Sequence, residues 1–482
     1  MKRTLIAAVL LAVVPRVAAA QTPADTLALS LEQARARATG QSEEIRLALS
    51  QVDIAKAQIR DVRAGALPQI NANLGYTRTF ASQFEGGFEL PDSLQFEPDS
   101  LAPINQRVQY LEDKAVNAGL EGLGLLFGNL PFGQENAYAT TISGSQLLYS
   151  GGRTGAALEL ARNFREAAEL QLQEETADID LAVRTAYYRA LFALELESIA
   201  AAAVVQAEQF LDQERLREST GAASELDVLR AEVALANLKP HAVQARNAAE
   251  TAALDLKRLV NVPAAQPLKL TTALETPAPD RLAPPESAPA ETLARRAAIA
   301  AAERQVRMRE LAVRIAKGAF LPSIALQMSY GRLAFPTDPF RLGGLDWRTD
   351  WSAVLGVQIP IFDGLRRNAQ VDQAAAELNQ ARLRLAQLRE GVQLQYQQAL
   401  GEQQRAAATI AARQTTVTQA QRVYDLTVMR YDRGVATQLE VSDARLALLQ
   451  ARTNLAQALS DFYVAEATVA RALAGDHPVE IR

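Results

Sequence analysis

The chain has 482 residues, a formal net charge of only −5, no cysteine and two histidines, His241 and His477, far apart in sequence. Disulfides and a lipidated cysteine are thereby excluded, no basic block offers a surface for nucleic acid, and no histidine cluster is available for a metal or for catalysis. Few aromatics and abundant alanine favour closely packed helices over an enzyme core, so neither a cofactor nor an enzymatic activity is expected.

Residues 1–20 read as a secretory signal peptide: Lys2 and Arg3 form a basic start, Leu5 to Val14 is an apolar run too short to span a bilayer, and Ala18 to Ala20 offer a cleavage site. The mature chain is then an exported protein. Its first helix is expected from Leu31 to Ala66, with Ser30 and Gln33 as a capping box and Gly65 and Pro68 as the stop.

The rest of the chain is a tandem repeat. Ile45, Val52, Ile59, Arg60, Leu67, Pro68 and Ile70 match Ile299, Val306, Val313, Arg314, Leu321, Pro322 and Ile324 at a constant offset of 254. Further on, Tyr149 to Arg153 match Phe362 to Arg366, and Gly221 to Val228 match Gly434 to Val441, both at an offset of 213. The first half therefore carries 41 extra residues between Ile70 and Tyr149. The expected layout is a first repeat over residues 21–260, a connector over 261–290 marked by seven prolines, and a second repeat over 291–482.

After each first helix the period changes from helical to two. Ile70, Ala72, Leu74 and Tyr76 alternate with Asn71, Asn73, Gly75 and Thr77, and Ile324, Leu326, Met328 and Tyr330 do likewise. Trp351, Ala353, Leu355, Val357, Ile359 and Ile361 continue the pattern, and residues 137–149 occupy the matching place in the first repeat. Four strands of about ten residues, apolar on one face and small or polar on the other, with aromatics near their ends, describe part of a transmembrane β-barrel. The expected boundaries are a hairpin over 69–149 and strands over 323–332 and 350–362. Four strands cannot close a barrel, and an open edge is not tolerated in lipid, so several chains must share one. Two copies would give a lumen filled by side chains; three give twelve strands and a passage.

Between the first two strands, residues 80–135 hold the excess and are rich in acids (Glu85, Glu89, Asp92, Glu97, Asp99) and in Gly and Pro. They read as a long extracellular loop with a short helix near Arg107 to Ala118. The run Gly122 to Gly128 resembles a nucleotide loop only superficially and reads as loop.

Ala156 to Thr220 contain neither Gly nor Pro and are dense in strong helix formers, which predicts one helix about 100 Å long. Arg184, Glu195 and Glu208 argue against a membrane span, and Ile179, Val183, Ala186, Ala190 and Leu194 form a packing seam. Taken alone this reads as a soluble coiled coil; the flanking strands place it beneath a barrel. The second repeat copies it, with Gly391 and Gly401 as interior breakers. Both long helices end in turns near Gly221 and Gly434, followed by return helices over Glu225 to Val260 and Gln438 to Ala474, capped by Ser224 and Thr437. Pro240 is expected to kink the first return helix.

These residues resemble the TolC family of outer-membrane efflux proteins, most specifically in the paired motifs at Gly221 to Val228 and Gly434 to Val441 and at Tyr149 to Arg153 and Phe362 to Arg366. The fold implied is mainly α with a membrane β part: long antiparallel helices plus four transmembrane strands per protomer, trimerising into a twelve-stranded barrel continued by a periplasmic helical barrel. The function implied is the passive exit duct of a tripartite pump in the cell outer membrane, with a periplasmic adaptor and an inner-membrane transporter as partners. The resemblance also implies a periplasmic aperture ringed by Glu440 and Asp443, with Tyr431 reaching Asp227 on a neighbouring helix. Ala436 stands where a latch arginine would be, with Arg430, Arg433 and Arg230 nearby. The turn residues Gly221, Ser224, Leu226, Gly434, Thr437 and Leu439 are the expected adaptor contact. The competing readings are an exported helical scaffold or a periplasmic adaptor; an adaptor needs lipoyl-like and β-barrel segments, and none are evident.

Overall fold

A computed structural model describes residues 26–81, 98–128, 135–282, 290–336, 338, 340 and 345–473, with the side chains of 118, 120–128 and 290 left aside. The expected signal peptide, residues 1–20, lies outside these, as do Glu85, Glu89, Asp92 and Glu97 of the long loop. In chain order the elements are β1 (Leu27–Leu29), α1 (Leu31–Gln41), α2 (Glu43–Ala64), β2 (Gln69–Arg78), α3 (Ile104–Gly128), β3 (Asn136–Tyr149), α4 (Arg153–Ser219), α5 (Glu225–Leu259), β4 (Leu268–Leu270), α6 (Pro279–Leu282), α7 (Ala290–Ala294), α8 (Ala297–Gly318), β5 (Ser323–Ala334), β6 (Arg348–Gln358), α9 (Arg366–Asp432) and α10 (Gln438–Leu473). They group into two compact units: residues 57–162 with 309–377, and residues 1–56 with 163–308 and 378–482.

The first of these units holds one antiparallel sheet in the order β2-β3-β5-β6. Its register aligns the alternation of all four strands. Leu74 lies opposite Thr140, Ile142 opposite Tyr330, and Leu326 opposite Leu355, so that Leu74, Tyr76, Ile142, Tyr330, Trp351 and Leu355 share one face. Asn71, Asn73, Ser143, Ser329 and Ser352 share the other. Among the described residues nothing covers the apolar face: Leu74 is 82% and Trp351 70% exposed. The outer strands β2 and β6 are exposed along their whole length. A sheet with a bare apolar face and two unpaired edges is unstable in water and suited to a lipid surround once the edges are paired.

Where β3 passes into α4, Gly151 and Gly152 have φ of 65° and 77°. A Cβ on Gly151 would stand 2.5 Å from the Gly318 carbonyl oxygen, and one on Gly318 would stand 2.7 Å from Cγ of Arg153. Glycine at both places lets the exit of β3 touch the entry to β5 backbone to backbone. At the corresponding exit of β6, Arg367 bonds Asp363 (2.8 Å) and the Pro360 carbonyl (3.0 Å) and covers the Phe320 ring at 5.0 Å.

The other unit is helical. Its core is built from residues spaced by threes and fours on α4, α5, α9 and α10: Val183, Tyr187, Leu256, Ile410 and Phe462 are fully buried. Each such side chain contributes roughly 1.5–3 kcal/mol. The parallel pair β1 and β4 lies against this core, where the Tyr187 hydroxyl donates to the Leu29 carbonyl (2.9 Å) and accepts from the Thr272 amide (3.2 Å). Tyr188 and Tyr463 stack with ring centres 4.5 Å apart. Arg471 of α10 pairs with Glu174 and, at 2.6 Å, with Asp178 of α4, while Glu174 also accepts from the Ala298 amide at 2.7 Å. A buried pair of this kind adds little net stability but is costly to break from one side.

Several expectations need correcting. The single helix from Leu31 to Ala66 is two helices, because Ser42 is extended (φ −65°, ψ 146°) and its hydroxyl accepts from the Ile45 amide at 3.1 Å. That is an N-cap, followed by Glu43 and Glu44 in the first turn. The short helix in the long loop extends from Ile104 to Gly128 and so includes the run from Gly122 that reads as loop. Ile359 and Ile361 lie beyond β6, which stops at Gln358 ahead of Pro360, a residue with no amide to give. One 18-residue window of α4 is long and apolar enough to cross a bilayer by composition, so charge does not interrupt that helix as evenly as Arg184, Glu195 and Glu208 suggest. Pro240, where a kink is expected, lies on an exposed side of α5 within the helix span.

Candidate functional site

The two inter-helix turns share one backbone hydrogen-bond pattern. α4 ends where Gly221 (φ 76°) donates to the Glu218 carbonyl at 2.9 Å and the Ala222 amide reaches the Arg217 carbonyl at 2.7 Å. α9 ends where Gly434 (φ 72°) donates to the Tyr431 carbonyl and Val435 to the Arg430 carbonyl, both at 2.9 Å. This is the Schellman cap, which needs a left-handed residue after the helix. A Cβ on either glycine would meet nothing within 4 Å, so the demand for glycine comes from φ and not from space.

The return helices start with side-chain caps. The Ser224 hydroxyl accepts from the Asp227 amide (3.3 Å), and the Asp227 carboxylate accepts from the Ser224 amide (3.1 Å) and hydroxyl (2.6 Å). Hydrogen bonds from the Ser224 side chain and then its backbone hold the Asp227 carboxyl below the ordinary range. The Thr437 hydroxyl accepts from the Glu440 amide at 3.3 Å. Glu440 and Asp443, one turn apart on α10, are both exposed. Leu226 and Leu439, equivalent in the two repeats, are apolar and 54% and 59% exposed immediately after their turns.

Tyr431 is placed beside Asp227, but no hydrogen bond joins them within the protomer. The Asp227 carboxylate is turned back onto Ser224. The Tyr431 ring lies beneath the Arg217 guanidinium (4.6 Å) and beside Phe210 (5.9 Å). Burial first, and next the facing Glu214 carboxylate, push its hydroxyl above the ordinary phenol range. The two hairpins are also joined by Gln438, which is 4% exposed and donates to the Asp227 carbonyl at 2.8 Å.

Arg217, Glu214 and Gln438 are absent from the residues that the sequence singles out. One signal was there to read: Arg217 and Arg430 stand at the repeat offset of 213, so both turns carry an arginine four residues before the glycine. Of the arginines near Ala436, Arg430 reaches the Val435 carbonyl of its own turn at 3.3 Å, and Arg217 is the one that reaches Tyr431.

The sequence profile of the family described as "Outer membrane efflux protein" matches residues 34–262 and 288–475. The chain is 28% identical over 334 residues to the outer membrane efflux protein BepC of Brucella suis, covering 67% of this chain and 68% of that one. It is 25% identical over 450 residues to the pyoverdine export outer membrane protein OpmQ of Pseudomonas aeruginosa, covering 88% and 83%. Among solved structures it is similar to the Campylobacter jejuni CmeC outer membrane channel, with a TM-score of 0.72 at 16% identity over 92% of this chain and 85% of that one. At that identity the likeness concerns the fold.

Proposed function

The chain belongs to the outer membrane efflux protein family, and on that footing we propose that three copies form one duct, a twelve-stranded barrel in the outer membrane continued by a periplasmic barrel of helices. It is an outer-membrane exit duct of an efflux system, a passive channel. The observation that carries the trimer is the four-stranded sheet with a bare apolar face and two free edges, since twelve strands are the smallest multiple that leaves a passage.

The partners we assign are a periplasmic adaptor and an inner-membrane transporter that supplies the energy. The adaptor meets the turns at Gly221, Ser224 and Leu226 and at Gly434, Thr437 and Leu439. What supports this is that two exposed leucines recur at one place in both repeats, beside turns whose backbone is fixed by a glycine cap. Asp227, Tyr431, Glu440 and Asp443 line the periplasmic aperture, where three copies would bring six exposed carboxylates from Glu440 and Asp443 into a narrow space.

Fractionation tests the reading. The protein should remain in the outer-membrane fraction, require detergent for extraction, and run as a trimer that heating converts to monomer. Release of a soluble monomer by osmotic shock would overturn it in favour of an exported scaffold.

A further inference from the structure

We propose that the carboxylate facing Tyr431 is a working part of the tip: Glu214, Tyr431 and Arg217 form a buried latch that holds the two helical hairpins of one protomer together above the turns. Its role in gating rests on the duct reading above; its existence as a contact does not.

Glu214 is 1% exposed, and a carboxylate is almost never buried without a partner. Neither of its oxygens has a close hydrogen-bond donor, and Nη1 of Arg217 stands 3.9 Å from Oε1. The acceptor is therefore free for the phenolic O–H of Tyr431, which is itself buried and covered by the same arginine. Among the other groups around the cluster, Oε1 of Gln438 is buried without a partner, and the rest are engaged as follows. From α5, the Asp227 carboxylate is held by Ser224. From α10, Gln438 donates to the Asp227 carbonyl and Arg445 lies over the Phe210 ring at 5.9 Å.

The two repeats do not duplicate this cluster. Glu214 corresponds to Thr427 and Tyr431 to Glu218, so the first repeat supplies only the acid and the second only the phenol. Arg217 has a counterpart in Arg430, but Arg430 caps its own turn. Acid and phenol thus lie on different hairpins, once per protomer. Any movement that parts the hairpins must separate them, together with the Gln438 bond beside them.

The test uses the purified full-length protein with two readouts: amide hydrogen exchange across residues 205–235 and 423–446, and single-channel conductance in planar bilayers. Glu214→Ala and Tyr431→Phe should each speed exchange at the tip about tenfold and raise conductance, and the double variant should go no further than the faster single one. Glu214→Gln, which keeps the shape and an acceptor, should fall between wild type and Glu214→Ala. Asp227→Asn should multiply with Tyr431→Phe. Exchange that is unchanged or slower in Glu214→Ala, or effects of Glu214→Ala and Tyr431→Phe that multiply, overturn the latch. A protein whose exchange shows the coupling but which forms no channel keeps the latch and loses the duct; a conducting trimer with independent effects loses the latch alone.

Discussion

Leu365 is the one residue of the strand-exit turns that works against its own backbone. It has φ of 66°, and the equivalent position in the first repeat is Gly152 at 77°. A side chain in this region costs roughly 1–2 kcal/mol, partly offset by the greater freedom that glycine has in the unfolded chain. Leu365→Gly should therefore raise the temperature at which the heat-modifiable form dissociates, by an amount worth up to about 1 kcal/mol. Gly152→Leu should lower it, although a Cβ at Gly152 meets nothing within 4 Å. A loss of stability in Leu365→Gly would show that the exposed side chain is held by a neighbouring molecule strongly enough to outweigh the strain. Charge at the aperture allows a second residue-level prediction. Glu440 and Asp443 are exposed on one face of α10, so in a narrow pore they concentrate cations. Glu440→Ala with Asp443→Ala should abolish cation selectivity and block by divalent ions added from the periplasmic side. Block that persists in the double variant would place the carboxylate ring elsewhere.

At the scale of elements, what could be read from the sequence was whatever repeats. α4 and α9 each have 67 residues and α2 and α8 each have 22, with ends displaced by the offsets 213 and 254 that the motifs around Gly221, Gly434, Ile70 and Ile324 display. The β-strands are legible through alternation at Ile70 to Tyr76 and Ile324 to Tyr330, and β3 becomes clear only once its register sets Ile142 between Ala72 and Tyr330. The break at Ser42 was missed because the apolar period runs on through it while a single hydroxyl redirects the chain. β1 and β4, three residues each, are too short for alternation to show, and they form because 241 residues separate them in sequence but not in space. The tip was half legible. Glycine caps and Ser224 are local and declare themselves, whereas the pairing of Tyr431 with Arg217 and Glu214 depends on which helices face each other.

For the whole molecule, the internal repeat fixes how one copy should join the next. Displacing β2 by 254 and β3 by 213 carries the β2–β3 register onto β5–β6: Ile70 opposite Gly144 becomes Ile324 opposite Val357, and Tyr76 opposite Tyr138 becomes Tyr330 opposite Trp351, both as observed. The same displacement applied to β3–β5 sets β6 against β2 of the neighbouring copy. Ile142 opposite Tyr330 then gives Leu355 opposite Tyr76, and Gly144 opposite Met328 gives Val357 opposite Leu74. All four of these residues lie on the apolar face and are exposed in the single chain, so this register continues that face around the ring, whereas a slip of one residue would set polar against apolar. The same operation brings Ala64 of the neighbour to the empty space beside Gly364, matching the contact that Gly318 makes with Gly151. The chain has no cysteine, so introduced pairs report without background. Leu355→Cys combined with Tyr76→Cys should give covalent dimers and trimers when intact membranes are oxidised, and Leu355→Cys with Leu74→Cys or with Arg78→Cys, which keep the face but shift the register by two, should give little. If either shifted pair cross-links better than Leu355 with Tyr76, the seam does not obey the internal symmetry, and the strain of closing twelve strands has been taken up at the junction between copies.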